Sequence, residues 1–226
     1  FTGALGLLFG VLGMTRGWPV AEGGSGAVTA ALQRIVEDHG GVVRCGDEVR
    51  ALPEADAVIL NLTPAQVLAL DGVSLPTRRA RSMRRWRYGP GVHKVDFLLD
   101  APVPWSDARV GEAATVHVGG TVEEIVRAEQ AVAAGVMPEQ PFVMVAQQYA
   151  ADPSRGLVLW TYAHVPHGYR ERYPGEVAEK IERQIERFAP GFRAVVRGTI
   201  ETPPQELEAW NPNLVGGDIA GGAMDG

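Results

Sequence analysis

The chain has 226 residues, 46% hydrophobic and 21% charged, which excludes a disordered chain and suits one large domain or two small ones. Its formal charge of −6 makes it a poor non-specific binder of polyanions, and its single cysteine, Cys45, excludes an internal disulfide and a multi-cysteine zinc centre. Glycine is over-represented, at 28 residues without a three-residue period, so turns, close backbone approaches or a ligand must account for it.

The first fourteen residues, Phe1 to Met14, are almost wholly apolar. They are too few for a membrane span, which needs about 20, and they lack the basic start of a signal peptide. They read as a helix buried in something larger. Residues 17–26 are rich in turn formers. A helix follows, with Ala27, Ala31, Leu32, Ile35 and Val36 at helical spacing and Gly40-Gly41 at its end. Residues 42–45 read as a short strand holding Cys45 in its packing. Residues 56–62, Asp-Ala-Val-Ile-Leu-Asn-Leu, read as a strand buried on both faces. Thr63 is placed to cap a helix that Pro64 opens and that runs through Leu70.

Six arginines crowd residues 78–87. Residues 92–99 alternate as a strand and 114–118 form another. Thr121 and Glu124 have the spacing of a capping box for a helix to Ala134. Residues 142–148 and 157–165 read as paired strands. Residues 176–188 read as an amphipathic helix with Val177, Ile181, Ile185 and Phe188 inward. A last strand over 192–200 and a helical turn over 205–210 precede a glycine-rich run from Gly216. This order predicts an α+β fold, a mixed and mainly antiparallel sheet flanked by helices. The chain does not begin with Met and stops inside a glycine run, so it reads as an interior piece of a longer protein.

The residues name no reaction by themselves. Gly24-Ser25-Gly26 lacks the third glycine of a dinucleotide fingerprint and follows a loop where that motif needs a strand. Its backbone N–H groups either face an anionic ligand or simply start a helix, and both readings stay open. His164 and His167, three apart at a strand end, point to opposite faces and lack a third ligand, so no metal is expected. With Tyr162 and Tyr169 they form a hydrogen-bonding cluster where sites often sit. The arginine run could bind phosphate or nucleic acid, but the negative net charge favours a solvated helix face, and no nucleic-acid partner is expected. No Gly-x-Ser-x-Gly elbow or Gly-Lys-Ser/Thr loop is present.

Six runs, in order along nearly the whole chain, resemble the interior of the phytoene desaturase-like, flavin-dependent amine-oxidase superfamily. They are Gly17-Trp-Pro-Val-Ala-Glu-Gly-Gly-Ser25, Asp56 to Gln66, Tyr88-Gly-Pro-Gly-Val-His-Lys-Val-Asp96, Thr115 to Glu124, Ile185 to Phe192 and Asn211-Pro-Asn-Leu-Val-Gly-Gly-Asp-Ile219. The resemblance implies a FAD-dependent oxidoreductase that dehydrogenates an apolar small molecule, with the pyrophosphate-binding segment outside this chain and the piece alone inactive. It implies a remnant of a flavin-binding domain with a substrate-entry segment over 1–62, and a substrate-binding domain over 63–226. Glu48 and Val49 would meet the adenine. Asn61, Thr63 and Pro64 would edge the cofactor. Glu22, Gly23, Gly24 and Ser25 would approach the flavin ring and substrate, as would Gly216 and Gly217. Tyr162 and His164 would position substrate. The first helix, through Leu7, Leu8, Phe9 and Leu12, would suit either an elongated apolar substrate or ordinary packing. The expected location is cytoplasmic or peripheral to a membrane surface. A lipid- or isoprenoid-binding module without catalysis is the alternative.

Overall fold

The computed structural model describes residues 2–224 and divides the chain into two compact units, Phe1–Val49 and Arg50–Gly226. In the first unit, α1 (Thr2–Arg16) is apolar nearly all round, and Leu7, Leu8, Phe9, Val11 and Met14 are exposed. Trp18 folds back edge-on to Phe9, with ring centroids 5.9 Å apart. The amphipathic helix α2 (Ser25–Asp38) starts at Gly24 and is closed by Gly40 and Gly41, whose N–H groups bond the carbonyls of Glu37 and Val36. No described helix is long and apolar enough to cross a membrane.

The second unit is built on β1 (Gly91–Leu99), which pairs antiparallel with β4 (Val158–Val165) on one side and β5 (Val196–Thr202) on the other. β3 (Val143–Gln147) pairs with β4, and β2 (Thr115–Val118) with β3, giving the order β2-β3-β4-β1-β5 with every pair antiparallel. The fold is therefore α+β, as the element order predicts. Alternation sends Val95, Phe97 and Leu99 of β1, Val143 and Val145 of β3, and Leu159 and Ala163 of β4 into one core. Val177, Ile181 and Ile185 of α7 (Glu176–Glu186) complete that core at helical spacing. Phe192, in the short helical turn α8 (Phe192–Val195), sets its ring edge-on to Phe97 at 5.3 Å. Among the polar groups inside, the Thr161 hydroxyl donates to the Val95 carbonyl at 2.7 Å. The buried Gln147 amide donates to the Val110 and Ala113 carbonyls and accepts from the Trp105 indole.

The capping box forms as its spacing requires. Thr121 accepts from the Glu124 N–H and Glu124 from the Thr121 N–H, opening α5 (Val122–Ala133). Four local expectations do not hold. Residues 42–45 carry no strand, and Cys45 is exposed. Residues 56–62 carry none either, and Ile59 is 95% exposed. An apolar run signals a preference for burial, but a strand also needs a neighbour for its N–H and C=O groups. In this stretch of the described residues the nearest isolated bridge joins Ala51 to Asp71. The strand expected over 192–200 begins as α8 and pairs from Val196. Thr63 precedes α3 (Pro64–Ala69) but its hydroxyl does not cap it, because the Ala65 N–H donates to the Tyr88 hydroxyl instead.

Truncating the central ring tests this core: Phe97→Ala is expected to cost about 3–5 kcal/mol. Urea denaturation should show a lowered midpoint with an unchanged slope, and an unaltered midpoint would refute the placement.

Candidate functional site

Burying one face of a sheet leaves the alternate residues on the other. On β4 those residues are Trp160, Tyr162 and His164, all half-buried. Pairing places Tyr162 between Lys94 of β1 and Met144 of β3, and Trp160 between Asp96 and Ala146. The rings form a file, Trp160 edge-on to Tyr162 at 5.5 Å and Tyr162 tilted against His164 at 5.8 Å. Lys94 lies 5.8 Å over the Trp160 ring and is ion-paired to Asp96. The His164 Nδ1 stands 2.9 Å from the Glu129 carboxylate of α5, which makes Nδ1 the donor and leaves Nε2 as an acceptor. Burial, then the Glu129 charge, raises the Tyr162 hydroxyl above its usual value of 10, so it is protonated at neutral pH and acts as a hydrogen-bonding group. The two sequence-expected substrate residues, Tyr162 and His164, are thus adjacent on one face. The arrangement can bind and orient an apolar or aromatic molecule. It offers no activated nucleophile.

Register brings the start of β1 and the ends of β4 and β5 to one end of the sheet, where the terminal glycine run packs. Gly216 and Gly217 are buried there. Gly216 has φ +63, and a Cβ on it would fall 2.3 Å from the His167 ring; one on Gly217 would fall 2.7 Å from Pro204. Close approach therefore accounts for both glycines. Asp218, 1% exposed, accepts from the backbone N–H groups of Gly89, Ala220 and Gly221. His167 donates through Nδ1 to the Gly89 carbonyl at 3.0 Å, so the two histidines of the expected cluster serve different partners. Tyr169 bonds Glu176.

Of the residues implied at the cofactor edge, Asn61 is exposed and Pro64 is the first residue of α3. The Thr63 N–H donates to the Asn213 side chain at 2.8 Å, and a Cβ on Gly221 would lie 3.8 Å from the Thr63 methyl. The Thr63 hydroxyl oxygen is buried without a partner. That orphan leaves room for one hydrogen bond to a group lying beside the glycine run. Glu22, Gly23, Gly24, Ser25, Glu48 and Val49 belong to the first unit. Gly23 and Gly24 have φ +80 and +87 ahead of α2, no side chain caps that helix, and Glu48 and Val49 are exposed.

Two clusters went unnoticed in the sequence. His93 lies in phase with Val95 and Phe97, hence on the covered face, and Glu201 stands opposite Val95. The two meet diagonally across the strands, with His93 Nε2 3.0 Å from the Glu201 carboxylate. Glu171 brings a third ligand atom within 4.8 Å, so these three could hold a cation. The buried His93 Nδ1, however, lacks the acceptor that a metal-bound imidazole normally finds, so the set reads as a hydrogen-bonded pair. The phase of the alternation was the available signal, since an inward histidine needs a partner.

The second cluster is Glu176, fully buried at the start of α7. It accepts from the Tyr169 hydroxyl at 2.8 Å and from the Arg172 Nε and backbone N–H at 2.8 and 2.9 Å. Burial disfavours its charge, yet these donors hold its carboxyl at about 2. Burial, together with the hydrogen bond to that carboxylate, pushes Tyr169 up to about 12.

No family model matches this chain, and no curated protein matches it.

Glu176 sets a testable acid limb. Its folded value of about 2 lies below the ordinary 4.5, so its contribution is full above pH 4.5 and lost as pH falls through 2. That contribution is at most about 3 kcal/mol. The urea midpoint of Glu176→Gln should fall below that of the parent at pH 7, with the gap narrowing by pH 3. A gap constant with pH would remove the carboxylate as its source.

Proposed function

We propose that this chain is the substrate-binding portion of a FAD-dependent oxidoreductase of the phytoene desaturase-like kind, acting on an apolar small molecule. The observation that carries the reading is the half-buried sheet face with Trp160, Tyr162 and His164 in file on β4. Aromatic walls with a few fixed polar groups suit a ligand that is greasy along its length and polar at one point. Flavin, when bound, supplies the two-electron acceptor for a substrate carbon–hydrogen bond. Trp160 and Tyr162 pack against the substrate and displace water from it. His164, braced by Glu129, presents Nε2 to a substrate hydroxyl, and the Tyr162 hydroxyl offers a second hydrogen bond. The Thr63 hydroxyl, beside Asn213, would hold the cofactor's edge. We place the protein in the cytoplasm or at a membrane surface.

A second reading is a lipid- or isoprenoid-binding module without catalysis, favoured by the exposed apolar side chains of α1.

Titration of the purified chain with a long-chain isoprenoid alcohol, followed by tryptophan fluorescence, tests both readings. Binding is expected, weakened about tenfold by Tyr162→Ala, as for loss of a buried aromatic contact worth ~1.4 kcal/mol. Quenching of added lumiflavin, a flavin ring that carries no pyrophosphate, diminished by Thr63→Val, supports the oxidoreductase. Bound lipid without flavin supports the module, and absence of both sinks the two together.

A further inference from the structure

The six arginines of residues 78–87 make a locally basic stretch in a chain whose net charge is −6. α4 (Thr77–Arg84) carries most of them, and Arg85 follows at its C-terminal cap. Steps of three and four residues put Arg78, Arg81, Ser82 and Arg85 on one face, and leave Arg79 and Arg84 off it. That face joins Trp86, Arg87 and Ala223 to line a cleft of about 460 Å³, within the size range of small-molecule pockets. Among the described residues, no acidic one lines it. Among the described residues, Arg78, Arg81 and Arg85 are exposed and make no ion pair, whereas Arg87 does have an interaction partner.

The wall of the cleft is fixed. The Trp86 indole N–H donates to the Gly221 carbonyl at 2.8 Å, and the Ala223 N–H donates to the Arg87 carbonyl at 2.8 Å. The Trp86 ring packs so closely on the glycine run that a Cβ on Gly222 would lie 2.8 Å from it, yet half of Trp86 is exposed. Along the helix axis, Arg78 and Arg85 are about 10 Å apart, a span wider than one carboxylate or one phosphate. Long side chains from backbone positions spread that far, with Arg81 between them, can converge on two linked phosphoryl groups, each held by paired N–H donors.

We propose that this cleft binds the diphosphate group of a small molecule, with the open part of the Trp86 ring beside it. Its lining residues include neither the sheet face nor Thr63, so the oxidoreductase reading can fail while this site still binds.

Isothermal titration calorimetry of the full 226-residue chain with inorganic pyrophosphate and with ADP tests it. Both are expected to bind, more weakly as salt rises. Equal affinities would make the diphosphate the sole determinant, and tighter ADP binding would show that a nucleoside ring stacks on Trp86. Arg81→Ala and Arg85→Ala should each weaken binding at least about tenfold, as for loss of a charge-assisted pair. Arg79→Ala removes the same charge off the lining face and should change affinity less than about twofold, since only screened long-range attraction is lost. No heat with either ligand would overturn the proposal. Equal losses for Arg79→Ala and Arg81→Ala, or tighter binding of single-stranded DNA than of ADP, would do so as well, by showing a diffuse basic surface in place of a site.

Discussion

One seam of apolar contact organises the second unit: the inward side chains of β1, β3 and β4 against Val177, Ile181 and Ile185 of α7, with Phe192 edge-on to Phe97. Each large side chain buried there contributes roughly 1.5–3 kcal/mol. The seam does more than stabilise. In a strand, choosing the buried face chooses the other face too. Once Leu159, Thr161, Ala163 and Val165 turn inward, Trp160, Tyr162 and His164 are committed to the opposite side. The candidate substrate surface is thus a consequence of the core, and a one-residue slip of β4 would exchange the two.

Around this seam, buried polar groups tie down loops that apolar packing could not place. Gln147 holds the segment through Val110 and Ala113, Asp218 gathers the backbone of Gly89 and the glycine run, and Glu176 fixes the turn into α7. Lys180, 1% exposed, is ion-paired to Glu139, whose carboxyl it holds below the usual range. Each is bonded, as a desolvated polar group must be to avoid a penalty of about 1–3 kcal/mol. The exceptions are therefore informative. The Thr63 hydroxyl is orphaned beside the glycine run, at the edge where we propose that a cofactor is held.

Much of this was readable in the chain. Period-two alternation marked β1, the turn between two strand-like runs marked β3 and β4 as a pair, helical spacing marked the inward face of α7, and the Thr121–Glu124 pair marked a cap that forms in both directions. Local rules failed where a partner had to be supplied from elsewhere. The apolar stretch over 56–62 reads as a strand but has no strand beside it, and Thr63 reads as a cap but is replaced by Tyr88, distant in sequence. The pairing of His93 with Glu201, 108 residues apart, follows from β1 lying beside β5, which no periodicity reports.

The sequence by itself determined the α+β class, the inward face of α7 and the concentration of arginine over residues 78–87, because these are properties of spacing and charge. Only the tertiary structure decided the strand order, which sets Tyr162 between Lys94 and Met144. It also decided that Gly216 and Gly217 are shaped by close packing, and that four of the arginines share one cleft with Trp86. The physical reason is the same in each case: a local pattern says which side of an element is apolar or charged, while the neighbour that meets it is chosen by long-range pairing and packing.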